Sequence, residues 1–166
     1  MFALARFAGM RCPSEVTALT WADVLWDENR LRINSRKTGL RFCPIFPELR
    51  PLLEAAFDAA PEGCVFVVGR YGGCGEANLS TQLKRIASGA GVKPWPKKFI
   101  NLRSTRRTEL QERFPSHVVD AWLGHSTKTA ETHYLQVTDD HYAAGATTLT
   151  GKPAAKAKPT GHRAPR

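Results

Sequence analysis

The sequence predicts a mainly helical, α+β domain with one small antiparallel β-sheet. Three observations carry that expectation. The chain has 166 residues, 42% of them hydrophobic, which is enough for one domain to bury a sizeable core. Most of its segments repeat apolar residues at helical spacing. The alternation typical of strands is confined to residues 30–46 and a short V-F-V-V run at 65–68.

From the N-terminus, residues 2–10 and 14–20 space Leu4, Phe7 and Ala8, then Val16 and Leu19, as two short helices. Pro13 suits the first turn of the second, where a missing N–H costs nothing. Arg11 therefore falls at the corner between them. Residues 30–35, R-L-R-I-N-S, alternate with Leu31 and Ile33 on one face, and residues 41–46, R-F-C-P-I-F, form a second strand. Gly39 between them allows the tight turn of a hairpin, and Pro44 confines the second strand to an edge or its end. Helices are expected at 48–59 and 79–90, with V-F-V-V as a third strand and a glycine-rich turn at 69–75. That turn lacks the Gly-Lys-Ser/Thr of a phosphate-binding loop. After the proline-broken loop 91–98, helices are expected at 101–112, at 116–123 with Ser116 as N-cap, and at 128–136.

The formal net charge of +9 is uneven. Residues 77–108 hold eight positive residues (Lys84, Arg85, Lys93, Lys97, Lys98, Arg103, Arg106 and Arg107) and no acid. The tail 151–166 holds five positive residues and no acid, while the rest of the chain is net −4. A surface without carboxylates over so long a window suits a polyanion, with DNA or RNA the first candidate; the alternative is clustering on an ordinary solvated surface. No apolar run approaches the ~20 residues of a membrane span, and the N-terminus, interrupted by Arg6 and Arg11, does not read as a signal peptide. A cytoplasmic protein without membrane contact, associated with DNA or RNA if the charge pattern is functional, is expected. Cys12, Cys43, Cys64 and Cys74 form no C-x-x-C pair and read as free thiols. His117, His125, His133 and His141 recur every eight residues, a step that turns a helix by about 80° beyond whole turns, so they share no face and no metal site is expected.

Metal-free cleavage of a phosphodiester needs fixed cations on the non-bridging oxygens, a nucleophile, and an acid for the leaving alkoxide. Arginine forks, a tyrosine phenol and a lysine supply these, and a histidine completes the anion cradle. The segment F-A-G-M-R-C-P-S-E-V-T-A-L-T-W-A-D-V at 7–24, the hairpin S-R-K-T-G, N-L-R-S-T at 101–105, and L-G-H at 123–125 followed by Tyr134 occur in that order. Together they resemble the motif blocks of the tyrosine recombinases, the phage-integrase family, over roughly residues 4–140. The resemblance implies a DNA breaking–rejoining catalytic core. It implies Arg11 and Arg103 as catalytic arginines, Glu15 as the acidic companion of Arg11, Lys37 as general acid, His125 as a phosphate contact and Tyr134 as nucleophile. Lys84, Arg85, Lys97, Lys98, Arg106 and Arg107 are expected to meet DNA. The partners implied are double-stranded DNA and further copies of the chain, as a tetramer on paired DNA, with no cofactor.

Each of these residues also has an ordinary structural reading. Arg11 suits a helix end, Lys37 a solvated turn, Arg103 an ion pair with Glu109, His125 a satisfied core position and Tyr134 a packed aromatic. Tyr71 and Tyr142 lack the spacing from a histidine. Two departures from the family pattern stand out: Ile100 where a histidine is usual, and Gln136 after the tyrosine. The resemblance sets the expected division at 1–142 for a catalytic domain, with the family's N-terminal core-binding domain absent, and 143–166 for a basic, disordered tail. Two alternatives to an active recombinase are a catalytically weak, DNA-binding integrase remnant and an unrelated basic nucleic-acid-binding protein.

Overall fold

The computed structural model describes residues 1–73, 78–125 and 139–147. Among these residues the helices are α1 (Phe2–Phe7), α2 (Ser14–Ala18), α3 (Arg50–Asp58), α4 (Leu79–Gly89), α5 (Lys98–Gln111), α6 (Ser116–Leu123) and α7 (Asp139–Thr147). The strands are β1 (Val24–Leu25), β2 (Arg30–Ser35) and β3 (Gly39–Pro44), paired antiparallel in the order β1-β2-β3. The fold is mainly helical with a small antiparallel sheet, as the sequence implies.

Where boundaries differ from expectation, local chemistry explains them. Helix α1 ends before residue 10 because Gly9 adopts φ +58° and Met10 N–H bonds back to Leu4 O at 3.2 Å. The 65–68 run is not a strand. It makes one bridge, Phe66 to Thr20, and Val65 is 60% exposed, so the run has no continuous buried face. Val24–Leu25 supplies the third strand instead. Strand β3 is the other edge, so Pro44 at its end costs no interior ladder bond. Helix α5 begins three residues early, after Lys97 in a left-handed conformation with φ +45°. Ser116 is the first helical residue of α6, not its N-cap; Pro115 holds that position and no side chain caps the end. The expected helix 128–136 lies outside the described residues.

The proposed tail boundary at 143 is also displaced. Helix α7 runs through Thr147 and packs on β3, so the chain is folded five residues beyond residue 142. Gly145 makes that contact possible: a Cβ there would lie 2.9 Å from Pro44 Cγ and 3.1 Å from Trp122 Cη2. At the start of the helix Asp139 pairs with Arg30 at 2.5 Å, and the Arg30 guanidinium covers the Tyr142 ring at 3.9 Å.

The core lies between the sheet and helices α1, α2, α5 and α6. Leu31 and Ile33 point inward from β2 at period two. Trp122 of α6 is fully buried and meets Phe46 and Phe114 edge to face, with centroids 5.8 and 5.0 Å away. A smaller cluster of Ala5, Leu83 and Leu102 joins α1, α4 and α5. These contacts bring the corner after α1, the middle of α5 and the end of α6 to one place.

Candidate active site

Arg11 stands at the α1–α2 corner, and Glu15 lies one helical turn further on. The Arg11 backbone N–H donates to Glu15 Oε2 at 2.8 Å, and its Nη1 donates to Glu15 Oε1 at 2.7 Å. Nη1 also reaches Thr38 Oγ1 in the hairpin turn at 3.1 Å. Nη2 donates to the Gly124 carbonyl at 2.6 Å. Gly124 ends α6 with φ +66°, and the turn it makes aims this carbonyl at the arginine.

Arg103 arrives from α5. Its Nη1 donates to Gly9 O at 2.8 Å, and its Nη2 donates to Leu123 O and, at 3.4 Å, to Gly124 O. Its Nε donates to His125 Nε2 at 3.2 Å. Arg11, Arg103 and His125, separated by up to 114 positions in the sequence, therefore meet around the Gly124 carbonyl. Arg103 pairs with none of Glu109's oxygens; Glu109 instead forks onto Arg6 at 2.9 and 2.6 Å.

The electrostatics follow from crowding. Burial lowers the Arg103 pKa to about 10, helped by the Arg11 charge and opposed by Glu15. Burial also lowers the His125 pKa below 6.5, with Arg103 and Arg107 adding to the effect and Asp120 opposing it. A neutral imidazole whose Nε2 accepts from Arg103 carries its proton on Nδ1. That atom faces Asp120 Oδ1 at 3.4 Å without a well-aligned hydrogen bond. Arg107 fixes Asp120 from the other side, through Nε at 3.0 Å and Nη2 at 3.2 Å.

Sequence reasoning did not single out Arg41, yet its side chain is 6% exposed at the centre of the site. Nη1 and Nη2 grip Glu15 at 2.9 and 2.6 Å, and Nε donates to Trp122 O at 3.0 Å. The signal was present: Arg41 and Cys43 alternate inward along β3, with buried Ile45 just past its end, so a charged residue occupies the buried face and must find a partner. Burial alone would raise the Glu15 pKa. The hydrogen bonds and charge of Arg41, with those of Arg11, outweigh it and hold the carboxyl at about 2.

Lys37 is exposed in the hairpin turn, next to the Thr38 that bonds Arg11. Tyr134 lies outside the described residues. Of the other phenols, Tyr71 donates to Gln82 Oε1 at 3.1 Å, and burial raises the Tyr142 pKa. Lys84 and Arg85 are exposed on α4. Lys97 and Lys98 line a cleft of about 570 Å³ with Cys12, Asn78, Ser80 and Ile100. Ile100 is 63% exposed there, and burial pushes the Cys12 thiol up to about 12, which keeps it protonated.

One expected DNA contact is corrected. Arg106 is fully buried, 4.2 Å from the Phe46 ring centre, and pairs with Glu48 at 3.3 Å and Glu109 at 3.6 Å. It occupies the i, i+4, i+8 face of Leu102 and Leu110, whose periodicity marked it as an inward position. Arg107 is spent on Asp120, although its side chain remains 41% exposed. The acid-free window thus divides between interior pairs and side chains open to solvent, exposed at Lys84, Arg85, Lys93 and Lys97 and half-buried at Lys98.

No curated protein sequence matches the chain. Its fold is similar to that of the Tn1549 transposon integrase (amino acids 82–397), solved in complex with circular intermediate DNA, with a TM-score of 0.54 and 17% sequence identity. That match covers 86% of this chain and 54% of the other, so this chain spans about half of that protein's chain. Residues 1–141 of the 166 match the profile of the phage integrase family. By the extent of that match, the chain belongs to the phage integrase family.

Proposed function

We propose that this chain breaks and rejoins DNA strands through a 3′-phosphotyrosyl intermediate. The observation that carries the reading is the meeting of Arg11, Arg103 and His125 at the Gly124 carbonyl, which gives two guanidinium groups and an imidazole within reach of one phosphate. The Tyr134 oxygen attacks phosphorus, its proton leaves to water, and the P–O5′ bond breaks. Lys37 gives a proton to the departing 5′ oxygen. Arg103 Nε turns from His125 to the phosphate, whose negative charge lets His125 take up a second proton from water, and the imidazolium donates through Nε2 to the same anion. A 5′-hydroxyl then displaces the tyrosine. The ester energy is kept in the covalent link, so this reaction consumes no ATP and routes no step through a metal.

Double-stranded DNA is the proposed substrate, held by Lys84, Arg85, Lys97 and Lys98. Assembly into a tetramer on paired DNA is part of the same proposal. The test is a nicked suicide duplex in EDTA. A covalent protein–DNA adduct is expected with the parent chain and none with Tyr134→Phe. No adduct from the parent, or an adduct from the phenylalanine variant, sinks the mechanism.

A second reading is a DNA-binding remnant with little catalysis. Ile100 favours it, because an exposed isoleucine at the position where the family usually has histidine takes no proton from a phenol. A remnant would retard DNA in a gel and leave it uncut.

A further inference from the structure

We propose that Arg41 is a positioning residue that neutralises Glu15, so that Glu15 can align Arg11 without cancelling the positive field meant for a phosphate. The inference rests on the anion site proposed above. Glu15 has a single carboxylate with two tasks. It orients Arg11 through the backbone N–H at 2.8 Å and Nη1 at 2.7 Å, and it lies 3.9 Å from Arg103 Nη1. Alone, that negative charge would offset one of the two arginines. Arg41 meets both carboxylate oxygens in a fork at 2.9 and 2.6 Å while itself almost wholly buried. The Glu15–Arg41 pair is neutral, and Arg11 and Arg103 keep a net charge of +2 for an incoming phosphate.

Arg41 also fixes the frame around the pair. Its Nε holds Trp122 O at 3.0 Å, and a Cβ on Gly124 would come within 3.0 Å of its Cδ. The turn before His125 therefore seats on this side chain, on the same hairpin whose Thr38 holds Arg11.

The test uses the full chain and orthovanadate, a phosphate mimic, with arginine Nε–H resonances as the binding readout and thermal melting as the fold control. Single-turnover adduct formation on the suicide duplex runs in parallel. Arg41→Met should weaken vanadate binding about tenfold or more, since a carboxylate is left uncompensated beside both cations. Arg41→Lys, which keeps the charge, should stay within about threefold of the parent, and the double variant E15Q/R41M should bind better than Arg41→Met because the offending charge is gone, yet below the parent because glutamine offers Arg11 one acceptor oxygen in place of two. A purely structural role predicts no such recovery.

Arg41→Met binding as well as the parent overturns the proposal, and so does a double variant no better than Arg41→Met. Should Arg41→Met fail to fold, a folded lysine variant that binds tenfold worse than the parent overturns it equally. Vanadate binding without any adduct rejects the proposed reaction and leaves the Arg41 role standing. An adduct whose rate ignores Arg41→Met rejects the Arg41 role and leaves the reaction standing. A parent chain that takes up no vanadate at millimolar concentration rejects both.

Discussion

Gly9→Ala tests how tightly the site is built into the core. Gly9 has φ +58°, and a Cβ at this position would stand 2.5 Å from Leu123 Cδ2. Leu123 is fully buried, so it cannot swing into solvent to make room. Holding alanine in the left-handed region costs about 1–2 kcal/mol. Forcing a methyl into a packed core adds about 1–3 kcal/mol. The expected loss is therefore about 2–5 kcal/mol, or roughly 4–20 °C in Tm for a chain of this size. Gly39→Ala is the internal control: φ is +74°, but nothing among the described residues lies within 4 Å of the added methyl, so only the backbone term applies. Urea unfolding followed by tryptophan fluorescence gives both values, and their difference isolates the clash with Leu123. If the two variants lose stability equally, within about 0.5 kcal/mol, the close packing of Gly9 on Leu123 is wrong.

Three further outcomes follow from the same geometry. The Glu15 carboxyl sits at about 2, below its ordinary 4.5, so its contribution is complete above pH 4.5 and is lost as pH falls toward 2. That difference is worth roughly 3 kcal/mol, and Glu15→Gln should flatten the acid limb of a stability-versus-pH curve; identical acid limbs would contradict the assignment. Replacing both Lys84 and Arg85 with alanine should reduce the slope of log affinity for DNA against log salt by about 2, whereas Arg106→Met should lower Tm and leave that slope alone. An equal change in slope from Arg106→Met would contradict its buried placement. Trp122→Ala should cost about 3–5 kcal/mol in denaturant unfolding, because its ring fills the space between Phe46 and Phe114; a loss below 1 kcal/mol would show that the core closes around the gap.

Much of the fold was legible because local pattern and tertiary need agree. The R-L-R-I-N-S alternation became β2 with the expected face inward, and Gly39 turned the hairpin. The 65–68 run forms no strand because its pairing with residues 19–21 ends after a single bridge and Val65, 60% exposed, has no buried face to extend it. Helix α7 was missed because its residues carry little hydrophobic periodicity; it is held by Gly145 against Trp122 and by Asp139 on Arg30, contacts set by distant parts of the chain. At the site, Arg11, Arg103 and His125 were readable from motif order. Their geometry was not, since Arg103 and one arm of Arg11 are held by main-chain carbonyls, which carry no letter in a sequence. Arg41 and Arg106 were hidden for a related reason: an arginine reads as surface charge until its neighbours at strand or helix spacing show that it faces inward.

The anchoring of Arg103 by the carbonyls of Gly9 and Leu123 has an evolutionary consequence. Substituting a side chain cannot delete a backbone oxygen. The orientation of this guanidinium is inherited with the path of the chain, and neighbouring side chains are free to drift as long as that path survives. Variants that bend the path without touching any polar group should then disarm the site as completely as loss of the arginine itself.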